Sequence, residues 1–280
     1  CSEVEIIDAY KKNLSKEELK RQINDYKPDI VGLTVLMDQY AGAAPLTTEI
    51  VKSISKNIIT VLGGVYAMSN PKRAIEDENL DYVVIGEGEY VFKQLIGFYS
   101  GVCDLPKRGI CFRKKGTKEI ENRGHAEFIK NLDLLPKPAY HLIDFLSYCS
   151  KYDERKNVDA PVKVPYARIV TSRGCPEKCS FCQVPSLQGS YFRARTPDHV
   201  CDEIEWLKKE YGIKSVIFDD DNLLTNTKGA KSLFRSMIDR KVNIRWIYGC
   251  TAVFRLDTEM VDLMVESGCE YLNIAIESGT

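Results

Sequence analysis

The sequence has no excess of charge of either sign and no long hydrophobic run. Its 280 residues contain 39 Lys and Arg against 40 Asp and Glu, so the formal net charge is -1 at pH 7. Nucleic-acid-binding chains usually carry a clustered basic surface, which this balance does not favour. A membrane-spanning helix needs about 20 consecutive apolar residues, and no run approaches that length. We therefore expect a soluble protein with neither nucleic acid nor membrane as a partner.

Histidine is scarce, with three residues, whereas cysteine is abundant, with ten. Ten cysteines would suggest a disulfide framework in a short secreted chain, but here they are dispersed through a large one. A reducing compartment fits this distribution better, so we expect a cytoplasmic protein. At about 150 residues per domain, the length predicts two domains.

Both ends of the sequence are abrupt. Residues 4–8 read as a strand almost immediately after Cys1, and the chain stops at Thr280 directly after another predicted strand. A sheet that ends in this way exposes an unpaired edge. We therefore expect a fragment, in which the N-terminal domain lacks its first strand and the second domain is truncated after its fourth strand.

Residues 1–100 alternate between strand and helix patterns. Ser15 and Glu18 form a capping box that predicts a helix extending to Tyr26. Three short runs rich in Ile and Val are typical of parallel strands buried on both faces: 29–35, 58–62 and 82–85. Two further helices are predicted between and after them, over 45–56 and 89–99. Successive βα units predict an α/β, doubly wound domain of the Rossmann or flavodoxin type.

Residues 101–165 interrupt this alternation, because Pro136, Pro138, Pro161 and Pro165 prevent long regular elements, and Lys114 to Gly116 predict a hairpin turn. We expect this segment to be a linker. The alternation resumes in residues 166–280, where four strands are predicted at 167–171, 215–218, 243–248 and 271–276. Helices are predicted between them, over 197–211, 227–240 and 258–267. The pattern indicates a partial (β/α) barrel or a second open sheet.

Three cysteines lie within eight residues in the loop that follows the first of these strands. Cys175, Cys179 and Cys182 are spaced C-x3-C-x2-C, and Gly174 and Pro176 permit the tight path that would bring their thiols to one metal centre. Structural zinc sites usually take four protein ligands, and most 4Fe-4S clusters take four cysteines. Three local ligands would therefore leave one iron of a cluster open.

The spacing alone leaves three interpretations of this loop. Two of them are an iron-sulfur cluster and a set of three unligated thiols. The other is a structural zinc site completed by a distant residue, for which the candidates are Cys149, His199 and Cys201.

With Phe181 included, the loop resembles the signature of the radical S-adenosylmethionine (SAM) superfamily, C-x3-C-x-aromatic-C. The resemblance implies that the three cysteines hold a 4Fe-4S cluster, whose fourth iron binds the amino and carboxylate groups of SAM. One electron, from a donor such as flavodoxin or ferredoxin, would then cleave SAM to a 5'-deoxyadenosyl radical. Phe181 is implied to lie near the adenine.

The resemblance extends to polar residues at the ends of later strands. Asp220, Asp221 and Asn222 follow the second strand, where the family carries a polar motif near the amino group of SAM. Two further SAM contacts are implied in the Glu-Ser-Gly motif at Glu277 and Ser278, and another at Arg255, which resembles a basic position after the third strand. From the residues alone, the acidic run could be a solvated turn or helix cap, and Arg255 could be a surface residue before a cap.

The N-terminal half resembles the cobalamin-binding domain that is fused to one large radical SAM group, in residues 28–34, 61–64 and 81–89. The resemblance implies cobalamin contacts at Thr34, Gly63, Gly64 and Glu87. Without it, adjacent glycines indicate only a tight turn, and the glutamates could favour a helix N-terminus.

The Asp-x-His-x-x-Gly motif of many cobalamin domains is absent, and none of the three histidines occupies a matching position: His125, His141 and His199. Whether cobalt has a histidine ligand is left open by the sequence.

Together these resemblances imply a cobalamin-dependent radical SAM enzyme that acts on a small molecule, most commonly by methylating an unactivated centre. A cyclase or rearrangement enzyme, similar to the anaerobic porphyrin cyclase, is the alternative within the same chemistry. A noncatalytic metal- or cobalamin-binding module is the alternative from another class.

Overall fold

The computed structural model describes residues 3–149 and 162–275. They form two compact units: the first runs from Ile7 to Ile129, and the second contains residues 3–6 and the described residues from Lys130 onward. Among the described helices, none combines the length and apolar character that a membrane span requires.

The first unit is built on a five-stranded sheet in the order β1-β2-β3-β4-β5. Its strands are β1 (Ile30–Thr34), β2 (Ile59–Gly63), β3 (Tyr82–Val84), β4 (Ile110–Arg113) and β5 (Ile120–Asn122). The first three strands are parallel, and the last two are antiparallel to their neighbours. The parallel strands coincide with the three predicted Ile- and Val-rich runs.

Helices cover both faces of this sheet, as the doubly wound prediction requires. They are α1 (Lys16–Tyr26), α2 (Ala43–Ile54), α3 (Val65–Ser69), α4 (Pro71–Ala74) and α5 (Gly88–Tyr99). Leu62 and Val83 pack with residues of α2, α3 and α4 on one face. Val61 packs with Val91 and Leu95 of α5 on the other. The capping box of α1 is formed as predicted, because Ser15 Oγ accepts from the amide of Glu18 and Glu18 accepts from the amide of Ser15.

Two segments of the first half differ from their predictions. Residues 4–8 form no strand, and no described strand pairs with them to satisfy their backbone groups. Residues 101–129, predicted as part of a linker, belong to the first unit. The turn at 114–116 is a hairpin as predicted, but β4 continues the central sheet by pairing with β3. The remainder of the predicted linker, as far as it is described, belongs to the second unit.

The second unit contains a four-stranded parallel sheet in the order β11-β10-β9-β6 and a separate two-stranded ladder of β7 and β8. Its strands are β6 (Tyr166–Ile169), β7 (Ser172–Arg173), β8 (Arg193–Ala194), β9 (Ser215–Phe218), β10 (Arg245–Ala252) and β11 (Cys269–Ala275). Its helices are α6 (Val184–Gln188), α7 (Pro197–Tyr211), α8 (Thr227–Asp239) and α9 (Thr258–Glu266). Neighbouring strands follow one another in the chain with a helix between them, which is the start of a (β/α) barrel.

Large aromatic side chains fix the sheet of the second unit to its helices. Trp246 of β10 is fully buried, stacks on Phe234 of α8 at 5.0 Å between ring centroids, and meets Phe218 of β9 edge-on. Phe145 and Cys149 are buried in the same core, so the segment before β6 packs onto the unit. Because this core holds the strands rigidly, the loops at their carboxyl ends have a firm support.

Candidate active site

The three cysteines lie in one loop whose two ends are tied together. Strands β7 and β8 pair on either side of it, with Ser172 opposite Ala194 and Arg173 opposite Arg193. The amide of Cys175 donates to the carbonyl oxygen of Gly189 at 3.2 Å. The loop therefore returns on itself beside the carboxyl end of β6, which is where active sites form in (β/α) barrels.

Gly174 makes this tight return possible. Its φ is +81°, and a Cβ at this position would lie only 2.4 Å from the carbonyl oxygen of Tyr191. A side chain would therefore collide with the backbone of the returning strand. The sequence pattern indicated a curled path at Gly174, and the structure gives the reason for it.

The thiols of the loop are free and differ in exposure. Cys175 is buried, Cys182 is half-buried and Cys179 is exposed. Over residues 3–149 and 162–275, no three His, Cys, Asp or Glu side chains lie close enough together to hold a metal ion. The structure thus places the three soft sulfur donors in one loop without closing them around a centre. This donor set suits an iron-sulfur cluster.

The distant residues considered as a fourth zinc ligand have other partners. Cys201 is fully buried in α7 and donates to Ser236 Oγ at 3.7 Å. The thiol of Cys149 donates to the carbonyl oxygen of Tyr166 at 3.0 Å. His199 accepts from Arg195 Nε at 3.0 Å. None of them forms a described ligand group with the loop cysteines.

Three consecutive carboxylates follow β9 at the same edge of the sheet, and the first two have side-chain partners. Arg168 of β6 pairs with Asp219, with Nε 2.6 Å from Oδ2. Asp220 accepts two hydrogen bonds from Thr171, at 3.0 Å from its amide and 2.8 Å from its hydroxyl, and another from the hydroxyl of Ser172. Asp220 therefore fixes the chain immediately before the cysteine loop.

Burial changes the protonation of the next two carboxyl groups. Desolvation raises the pKa of Asp220 to about 6, although the hydrogen bonds from Ser172 and Thr171 act to lower it. Desolvation also raises the pKa of Asp221, helped by the charge of Asp219 and opposed by a hydrogen bond from the amide of Gly174. The bond from Gly174 links the acidic turn directly to the cysteine loop.

Several buried oxygen atoms at this edge have no hydrogen-bond partner among the described residues. They are Asp220 Oδ2, Asp221 Oδ2 and Asn222 Oδ1 after β9, and Thr251 Oγ1 near the end of β10. An unsatisfied buried acceptor costs roughly 1–3 kcal/mol, so a bound donor would be stabilised here. An ammonium group has three N–H donors and no acceptor. The amino group of SAM therefore fits this set of acceptors.

Arg255 lies in the 3-10 helix Val253–Arg255, which follows β10. Its Nη2 pairs with the carboxylate of Glu177 in the cysteine loop, while its Nε is buried without a hydrogen-bond partner among the described residues. Phe181 extends from the loop with 72% of its surface exposed. The other two predicted SAM contacts, Glu277 and Ser278, lie outside the described residues.

In the first unit, Gly64 forms a backbone cradle at the carboxyl end of β2. Its φ is +91°, and a Cβ here would lie 2.5 Å from the carbonyl oxygen of Val35 and 2.8 Å from Thr34 Oγ1. Gly63 accepts from the amide of Val35 at 3.2 Å, so the ends of β1 and β2 are joined at this point. Three of the predicted cobalamin contacts are thus neighbours on one sheet edge, where ligands of open α/β sheets bind.

Glu87, the fourth predicted cobalamin contact, lies at the end of β3 and accepts from the amide of Ile129 at 2.6 Å. The preceding Gly86 has φ +105° and packs against His125, whose ring would lie 2.5 Å from a Cβ at that position. This loop therefore holds the segment that follows β5, a structural role that the sequence pattern did not indicate.

The sequence did not point to several residues that shape the edge of the second unit's sheet beside the cysteine loop: Arg168, Thr171, Ser172 and Glu177. Arg168 and Asp219 are 51 positions apart, and Glu177 and Arg255 are 78 apart. Only the sheet order brings such pairs together. Thr171 and Ser172 directly precede the cysteine loop, and this position is the one feature of the sequence that could have indicated their role.

Family models match both halves of the chain. A model of the Radical SAM superfamily matches residues 169–280. A model of the B12 binding domain matches residues 2–96. These matches confirm the predicted family and the predicted set of cofactor classes.

Two curated relatives illustrate the range of related proteins. The cytidylyl-2-hydroxyethylphosphonate methyltransferase of Streptomyces wedmorensis is 30% identical over 95% of this chain and 53% of its own length. The anaerobic magnesium-protoporphyrin IX monomethyl ester cyclase of Rubrivivax gelatinosus is 26% identical over 99% of this chain and 49% of its own length. The chain thus spans about half the length of the curated relatives it matches.

Solved structures confirm the predicted fold. The radical SAM methyltransferase TsrM from Kitasatospora setae, with tryptophan and a SAM analogue bound, superposes with a TM-score of 0.74 at 22% identity, over 97% of this chain and 53% of TsrM. A second TsrM structure, with cobalamin and a [4Fe-4S] cluster bound, gives a TM-score of 0.72. The two family-model matches show that the chain joins a B12-binding domain, in residues 2–96, to a domain of the radical SAM superfamily, in residues 169–280.

Proposed function

We propose that this chain provides the cofactor-binding part of a cobalamin-dependent radical SAM enzyme, which methylates an unactivated centre of a small molecule. One observation carries the proposal: a loop of three free thiols adjoins a set of buried, unpaired acceptor oxygens at one edge of a parallel sheet. Thiolates suit a cluster with an open iron, and the acceptors suit the amino group of SAM. The B12-binding match to the other half adds cobalamin.

Different residues of the second unit would bind the cluster and SAM. Cys175, Cys179 and Cys182 would hold the cluster, which when bound supplies the electron that cleaves SAM. Asp221 and Asn222 would accept hydrogen bonds from the amino group of SAM through their buried, unpaired oxygens. The cysteines and these two oxygens follow neighbouring parallel strands, β6 and β9, which supports the assignment.

Three further residues of this edge complete the proposed SAM site. Asp220 would contribute its free Oδ2 while its other oxygen holds Thr171. Arg255 would bind the carboxylate of SAM through Nε. Phe181, exposed beside the cysteines, would cover the adenine, because an exposed aromatic face can stack on a base.

In the first unit, we assign the dimethylbenzimidazole tail of cobalamin to the edge formed by Thr34, Gly63 and Gly64. Support comes from the close approach of backbone at Gly64, which leaves no room for a side chain. Glu87 would bind from the neighbouring loop. The reaction also needs a one-electron donor of the flavodoxin or ferredoxin type, and a reducing cytoplasm would keep the loop thiols reduced.

The test is anaerobic reconstitution of the protein with iron and sulfide, followed by SAM and a reductant. We expect 5'-deoxyadenosine to form, and we expect none from the variant with all three loop cysteines changed to Ala. Stoichiometric zinc without iron in anaerobically purified protein would instead favour the noncatalytic metal-binding module.

The second candidate is a cobalamin-dependent cyclase or rearrangement enzyme, which is supported by the similarity to the Rubrivivax gelatinosus cyclase. The mass of the product separates the two. A methylated product gains one CH2 unit and consumes a second SAM, whereas a cyclised or rearranged product does not gain this unit.

A further inference from the structure

The cysteine loop is fastened to the end of β10 by one ion pair between Glu177 and Arg255. Glu177 lies inside the C-x3-C segment, between Cys175 and Cys179. Arg255 lies 78 positions later, in the 3-10 helix after β10. The two side chains retain only 33% and 29% of their exposed surface, so the pair is partly shielded from water.

Arg255 also contacts a residue of its own segment. Its guanidinium carbon lies 5.0 Å from the centre of the Phe254 ring. Two residues later, Asp257 caps α9 by accepting from the amide of Met260 at 2.7 Å. Arg255 thus lies beside the start of α9, and its bond to Glu177 links the cysteine loop to this segment.

The guanidinium uses only part of its donor set for Glu177. Nη2 takes the carboxylate, whereas Nε is buried and has no hydrogen-bond partner among the described residues. Arginine presents five N–H donors in a rigid fork, so one side chain can bind two carboxylates at once. A buried, unpaired donor is destabilising until an acceptor reaches it.

We propose that Glu177 is a positioning residue for the cysteine loop, and that it couples loop order to SAM binding through Arg255. Glu177 holds Nη2 and keeps the loop against β10, while Nε is left for the carboxylate of SAM. The coupling rests on the proposed function, since it requires SAM at this edge. The fastening of the loop does not, because it requires only the ion pair between Glu177 and Arg255.

The first measurement is the rate at which a maleimide labels each cysteine in protein that has not been reconstituted, read by peptide mass spectrometry. In Glu177→Gln, labelling of the buried Cys175 should become about fivefold faster, the low end of the range for two linked sites. Cys179 is already exposed and should change little. Cys201, buried in the core, reports whether the fold is intact.

Glu210→Gln is the matched control, since it removes the same charge from an exposed residue of α7. It should label like the unaltered protein. Equal rates for Cys175 in Glu177→Gln and Glu210→Gln, with Cys201 still protected, would overturn the proposal that Glu177 fastens the loop.

The second measurement is the affinity of the reconstituted protein for SAM by equilibrium dialysis. Glu177→Gln should weaken binding by about fivefold through the lost coupling. The double variant Glu177→Arg with Arg255→Glu restores the ion pair in reverse. It should restore protection of Cys175 but leave SAM binding weak, because Nε of Arg255 is gone. Full affinity in Glu177→Gln would overturn the coupling.

The two measurements distinguish this inference from the proposed function. If the unaltered reconstituted protein does not bind SAM, the proposed function fails, and the coupling fails with it. The labelling rates would still decide whether Glu177 fastens the loop.

Discussion

The two candidate binding edges of this chain lie at the same place in their sheets but are built in different ways. Each lies at the carboxyl ends of parallel strands. In the first unit, the edge at Gly64 is shaped by close backbone contacts and carries no buried carboxylate among the predicted contacts. In the second unit, the edge is shaped by side chains: buried Asp220, the pair of Arg168 with Asp219, and the thiols.

This difference indicates what each edge can bind. A cradle of backbone groups without charge suits a large, neutral part of a ligand that needs close approach. An edge of buried, partly unpaired charges suits a small ligand whose own charges complete the pairing. The first edge should therefore be sensitive to added volume, and the second to changes of charge and pH.

The largest effect should come from adding a side chain under the cysteine loop. In Gly174→Ala, the Cβ would meet the carbonyl oxygen of Tyr191 at 2.4 Å, at a φ of +81°. We expect about 3 kcal/mol of lost stability, since positive φ alone costs about 1–2 kcal/mol for a residue with a Cβ. Urea unfolding monitored by near-ultraviolet circular dichroism measures it.

Gly212→Ala is the control for this prediction, because Gly212 has φ +63° and no atom within 4 Å of an added Cβ. It should lose only about 1 kcal/mol, the penalty of the backbone conformation. Equal losses of stability at both positions would show that the contact between the added Cβ and Tyr191 does not destabilise the protein.

The next effect should come from the same change in the first unit. In Gly64→Ala, the added Cβ would lie 2.5 Å from the carbonyl oxygen of Val35 and would crowd Thr34. We expect stability to fall by about 2 kcal/mol and cobalamin binding, read from its visible absorption after gel filtration, to be lost. Gly101→Ala, with φ +71° and open space around it, is the control. Retained cobalamin in Gly64→Ala would contradict the assignment of this edge.

A similar change in stability, without the loss of a ligand, should follow from pH at Asp220. Its pKa is raised from 3.8 to about 6 by burial, so between these values the folded protein holds a proton that the unfolded chain has released. Stability should therefore fall as pH rises from about 4 to about 6, by on the order of 2 kcal/mol. Asp220→Asn cannot ionise, and its stability should lose this slope. Parallel pH profiles of the two proteins would contradict the burial argument.

The smallest effect should come from Arg168, whose pair with Asp219 retains about 40% of its side-chain exposure. Arg168→Gln should cost roughly 0.5–1 kcal/mol, as is usual for exposed ion pairs. It should also raise the pKa of Asp221, because the charge of Asp219 would then be unpaired. Chemical-shift titration of the Asp221 carboxyl carbon measures this change.

Local patterns in the sequence predicted the local structure well. The capping box at Ser15, the parallel strands of the first unit and the helix over 197–211 are all formed. Each depends on residues within a few positions of one another. The curled cysteine loop was predicted for the same reason, from Gly174 and Pro176.

Features that depend on pairing between distant segments were not predictable in this way. Strand β4 joins β3 only because the hairpin folds back onto the central sheet, and no periodicity within residues 101–165 marks this. Likewise, Arg168 meets Asp219, and Glu177 meets Arg255, through the order of the strands. The positions of charged partners across a sheet therefore required the structure.

The central claim is that Cys175, Cys179 and Cys182 hold a 4Fe-4S cluster with one iron open to SAM. Electron paramagnetic resonance of the reduced, reconstituted protein, recorded with and without SAM, tests it most directly. We predict a cluster signal that SAM shifts, and no such signal when the three cysteines are changed to Ala. A cluster signal that SAM leaves unchanged, or one that survives loss of the cysteines, would contradict the account.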